Sequence, residues 1–97
     1  MQLSELVAMV EASKLGPPNL IEAENGCAPA VWWTSNERQL VRVTFYGRRA
    51  MVGVVGLLDE IPVPDLSGLC NALDKVYEYL IANGYLAKAC KVQKEKT

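Results

Sequence analysis

The chain has no histidine. That absence removes Ser-His-Asp and Cys-His nucleophile activation, the commonest general base and the commonest metal ligand. There is no Walker loop and no G-x-G-x-x-G, so the usual phosphate cradles are missing. The three cysteines, Cys27, Cys70 and Cys90, are odd in number and show no C-x-x-C spacing. A disulfide framework or zinc site is therefore not expected, and a reducing compartment is. No cofactor and no metal is expected.

No apolar run is long enough to span a membrane. No basic stretch followed by an apolar block opens the chain, so no signal peptide is read and a cytoplasmic location is expected. A charge excess is missing too. The net charge of −1 lacks the basic surplus usual in dedicated nucleic-acid binders. It is equally unlike a strongly acidic mimic of DNA.

What is present is a folding composition. The 97 residues are 51% apolar and 22% charged, which predicts one folded domain over 1–97 rather than a disordered tail. Residues 92–97 read as a frayed polar end.

Three consecutive strands are predicted over 30–34, 39–46 and 51–58. In the middle one Val41, Val43 and Phe45 alternate with Leu40, Arg42, Thr44 and Tyr46, the period of a strand with two unlike faces. The third, from Met51 to Leu58, is apolar at nearly every position, as in a strand covered on both sides. The short polar links 35–38 and 47–49 suit antiparallel hairpins. A short first strand is read at 20–24, followed by Asn25-Gly26, a hairpin dipeptide. Residues 59–64, with two prolines, read as a loop.

Two helices flank this sheet. Leu3, Leu6, Val7 and Val10 predict an amphipathic helix over 3–15, stopped by Gly16-Pro17-Pro18. Leu66, Leu69, Cys70, Leu73, Val76, Tyr77, Leu80 and Ile81 form a broad stripe at helical spacing. Asp65 or Ser67 is placed to cap that helix and Asn83-Gly84 to end it. Residues 86–93 fit a short helix or a strand, and Ala and Lys favour helix. The expected fold is α+β: a helix, an antiparallel meander of three or four strands, and a long helix, with both helices on one sheet face.

Candidate chemistry is thin. The carboxylate pairs Glu22/Glu24 and Asp59/Glu60 read as solvated charge, because a glycosidase-like pair must face across a cleft. Cys27 has no cationic neighbour to activate its thiol. The basic cluster says more. Arg38, Arg42, Arg48 and Arg49 lie on or beside the middle strand and supply four of the ten positive charges. Adjacent strand residues point oppositely, so one of Trp32 and Trp33 must leave the core and join Arg42 and Tyr46.

Arg, Tyr and Trp are residues of protein interfaces. The candidate interface comprises Trp32, Arg42, Tyr46, Arg48, Arg49, Met51 and Val55. The expected function is non-catalytic protein binding, as an inhibitor, adaptor or regulator that occludes a protein partner, with homodimerisation included. The alternative is a nucleic-acid-binding module using the Arg/Tyr/Trp face. A third reading is a small-molecule binder with a pocket between sheet and helix.

Overall fold

A computed structural model describes residues 2–23, 28–35 and 37–86. The chain runs α1 (Leu3–Glu11), β1 (Leu20–Glu22), β2 (Ala30–Ser35), β3 (Arg38–Tyr46), β4 (Arg49–Val54) and β5 (Ile61–Val63). A single 3-10 turn (Leu66–Gly68) then leads into α2 (Leu69–Ala82). The five strands form one antiparallel sheet in the order β1-β2-β3-β4-β5. This is the expected α+β meander between two helices, with one strand more than expected. No helix of the described residues is long and apolar enough to cross a membrane.

The core lies between the sheet and the helices. Val31, Trp33, Val41, Val43, Phe45, Val52 and Val54 contribute from the strands. Leu6 and Val10 of α1, and Leu69, Leu73, Val76 and Leu80 of α2, contribute from above. The predicted α2 stripe is thus the buried face, with Cys70, Tyr77 and Ile81 half-buried along its margin. The Cys70 thiol donates to the Met9 carbonyl at 3.1 Å, joining the two helices.

The ends of α2 follow local chemistry. The Asp65 carboxylate accepts from the Ser67 amide at 2.9 Å and caps the 3-10 turn. At the other end Gly84 has φ +80°, with Tyr85 N–H donating to Leu80 O and Gly84 N–H to Ile81 O. That bond pair is a Schellman motif, and it turns Tyr85 back over the last helical turn. The Ser67 hydrogen bond, helped by the Arg48 charge, holds the Asp65 carboxyl below its ordinary pKa. A depressed folded-state pKa gives stability that is present above the unfolded pKa and is lost as pH falls through the folded one. Asp65→Ala should therefore lower the urea midpoint at neutral pH and leave it nearly unchanged at strongly acid pH. An equal loss at both would exclude the carboxylate as the cause.

Five expectations need correction. Helix α1 ends at Glu11 rather than 15, because the buried Ser13 hydroxyl bonds the Val10 carbonyl at 2.7 Å and the chain turns towards Gly16. Strand β4 spans Arg49–Val54, so residues 55–58 are not strand. Gly56 takes φ +87° and Leu57 and Leu58 turn into solvent. Arg49 belongs to β4, paired with Tyr46, and only Gly47-Arg48 form the turn. Gly47 at φ +68° gives that turn the positive first residue of a type II′ hairpin.

Residues 61–63, read as loop, form β5. Val55 N–H donates to Leu40 O, so even residues of β3 bond to β4, and by alternation Ile61 and Val63 bond to β4. The ring nitrogen of Pro62 then faces away from β4, on the side where no other described strand pairs and a missing donor costs nothing. Leu40, expected on the Arg42 side, is buried in the core. The register shifts between Trp33 and Thr34, which pair with Val41 and Gln39. This β-bulge inserts Leu40 as an extra residue and lets it and Val41 both point inward.

The short first strand exists as Leu20–Glu22. The expectations for Asn25-Gly26, Cys27, Cys90, the helix at 86–93 beyond Leu86 and the 92–97 tail lie outside the described residues.

A helix-free sheet face as candidate interaction site

Cross-strand pairing defines the second face of the sheet, which no helix among the described residues covers. One row runs Leu20–Trp32–Arg42–Gly53, and the next runs Glu22–Ala30–Thr44–Met51–Pro62. Tyr46 and Arg49 pair beyond them. Both helices contribute to the core on the opposite face, through Leu6, Val10, Leu69, Leu73 and Leu80.

The two tryptophans separate as strand parity requires. Trp33 is buried, and its indole N–H donates to the Gly16 carbonyl at 3.0 Å. Trp32 is half-buried on the helix-free side between Leu20 and Arg42. Its indole nitrogen is buried without a hydrogen-bond partner among the described residues. A buried, unpaired N–H carries a desolvation penalty of about 1–3 kcal/mol.

Arg42 does not stand free. Its guanidinium lies 2.6 Å from the Glu60 carboxylate. Gly53 lies opposite Arg42, and a Cβ there would sit in ordinary contact with the Glu60 carboxylate at 3.5 Å and the Arg42 guanidinium at 3.7 Å. The pair is partly exposed, so solvent screening keeps its own worth small. Its effect is to cancel the charge at the centre of the face. Glu60 therefore works with Arg42 and not with Asp59 as a carboxylate pair.

Two clefts flank the ion pair. A polar one of about 250 Å³ lies between Gln39, Arg42, Gly53, Leu58, Asp59 and Glu60. A more apolar one of about 440 Å³ lies between Tyr46, Arg49, Met51, Glu60, Pro62 and Pro64. Glu60 borders both.

Of the expected interface residues, Trp32, Arg42, Tyr46, Arg49 and Met51 share this face. Tyr46 is 50% exposed and Arg49 is exposed. Val55 is half-buried, lines the polar cleft and packs against the core cluster. Arg48 stands apart. It occupies the hairpin turn, its carbonyl accepts from Leu66 N–H, and its charge acts on Asp65. Arg38 stacks over Tyr85, 5.8 Å from the ring centre.

Glu60, Pro62, Pro64 and Leu20 complete the face but were not legible as site residues. The two prolines read as loop punctuation, and the Arg42–Glu60 pair spans 18 residues of sequence. Among the described residues no cluster of three His, Cys, Asp or Glu side chains is placed to hold a metal ion. Comparison of the chain with protein-family models, with curated proteins and with solved structures finds no match.

Proposed function

We propose that this chain is a non-catalytic protein-binding module that engages its partner through the helix-free sheet face, as an inhibitor, adaptor or regulator that occludes the surface it covers. The observation that carries this reading is the cleft of about 440 Å³ walled by Tyr46, Met51, Pro62 and Pro64, with Arg49 and the Arg42-paired Glu60 also in its lining. Such a cleft suits an apolar anchor, and Arg49 suits a carboxylate beside that anchor. The partner is thus a protein presenting an apolar side chain flanked by an acidic one. Half-buried Trp32 and Met51 beside an exposed tyrosine make this an apolar and aromatic face rimmed by arginine, the kind of patch that marks interaction sites.

The nucleic-acid alternative fits the charges less well. Glu60 cancels Arg42, and Arg48 stands in the hairpin turn, apart from this face. Arg49 is then the one free guanidinium of the described residues on this face, too little for the phosphate pairing that drives such binding.

The test is capture from native extract with wild-type protein and with Met51→Glu and Arg49→Glu, both at surface positions. Each substitution should weaken retention of one defined protein by about tenfold or more with the circular dichroism spectrum unchanged. Arg42→Glu should act similarly, since it sets two carboxylates against each other. Retention indifferent to all three substitutions would place the binding surface elsewhere. Bound nucleic acid with a steep loss against salt would instead favour the alternative.

A further inference from the structure

A second apolar surface lies at the other side of β4. A cleft of about 360 Å³ opens between α2 and the sheet, lined by Val54, Leu57, Ile61, Ala72, Val76 and Tyr79. Lys75 stands among its lining residues and is the one charged group there. Lys75 is exposed and has no ion-pair partner among the described residues. Beside the cleft, Leu57 is 43% exposed and Leu58 fully exposed, with Asp59 and Glu60 following in sequence.

The loop that carries Leu58 is held at its base. Tyr79 Oη donates to the Val55 carbonyl at 3.1 Å. Gly56, at φ +87°, fits beneath two phenols: a Cβ there would lie 2.6 Å from Tyr79 Oη and 2.8 Å from Tyr85 Oη. Leu57 N–H closes the turn onto Val54 O. Leu58 is therefore a pre-positioned apolar peg, and pre-positioning reduces the ordering cost of an association.

We propose that the chain pairs with a second copy of itself by a reciprocal exchange, Leu58 of each copy entering the α2/β4 cleft of the other. Leu57 lines the socket and Leu58 follows it in the chain, so each copy carries both peg and socket close together, as a two-fold isologous contact requires. The space suffices, since an apolar cavity of about 150 Å³ already holds a benzene-sized group. The charges also match. Asp59, next to the peg, comes to the rim of the other copy's cleft, where Lys75 has no carboxylate of its own. The socket shares no lining residue with the Met51 and Arg49 cleft, so Met51→Glu and Arg49→Glu test the proposed function without touching it.

Sedimentation equilibrium over a wide concentration range tests the exchange. The wild type should dimerise, and Leu58→Asp, at a fully exposed position that the fold does not need, should weaken the dimer by about tenfold or more. Asp59→Lys and Lys75→Glu should each weaken it, and the double variant, with unchanged net charge, should recover most of the loss. Met51→Glu should leave it unaffected. A monomer at every concentration, a dimer indifferent to Leu58→Asp, or a charge exchange that recovers nothing would overturn the proposal.

Discussion

Leu73→Ala should lower the unfolding free energy by about 2–5 kcal/mol, the range for removing a buried leucine and leaving a cavity. Leu73 is wholly buried in the middle of α2, in the same core cluster as Val41, Val43 and Phe45. A domain of this size has only about 5–15 kcal/mol in total, so the loss is a large share. Each kcal/mol also corresponds to a fall of about 4–8 °C in Tm. Urea denaturation checks this, with Asn71→Ala on the exposed side of the same helix as a control expected to change stability by less than about 0.5 kcal/mol. Similar effects at the two positions would mean that the helix does not bury the face described.

Gly56→Ala should lower stability by about 2–3 kcal/mol, more than alanine at another left-handed glycine. Two costs combine. A β-carbon at φ +87° carries about 1–2 kcal/mol. It would also drive into the Tyr79 hydroxyl and break the bond to Val55 O, worth about 1 kcal/mol. Gly84 is the comparison, because it shares the positive φ but a Cβ there meets nothing within 4 Å. Gly84→Ala should therefore show the conformational cost alone. Equal losses at both sites, measured by urea denaturation, would show that the phenols above Gly56 simply move aside. If the loop is loosened as expected, Gly56→Ala should also weaken the self-association built on Leu58.

Features set by neighbours along the chain were legible without a structure. The α2 stripe follows from spacing alone, because a helix presents every third or fourth residue on one side whatever it packs against. The Arg42 and Tyr46 face, and the opposite directions of Trp32 and Trp33, follow from the two-residue period of a strand. The helix-ending role of Asn83-Gly84 is local as well.

Other features depended on partners distant in sequence. Leu40 has the parity of the outer face and lies in the core, because a bulge is a mismatch between two strands and neither strand alone records it. β5 is strand despite Pro62, since a proline is tolerated where its nitrogen faces away from the neighbouring strand, and only the sheet order shows which side pairs among the described residues. The run from Met51 to Leu58 was apolar throughout, yet the strand stops at Val54 and the chain turns at Gly56, whose left-handed φ lies beneath the Tyr79 and Tyr85 hydroxyls. The cluster of arginines was plain in the sequence. Tertiary structure decided that Glu60 would neutralise Arg42, because Coulomb attraction acts through space and these two residues meet only after β3, β4 and the following loop have folded together.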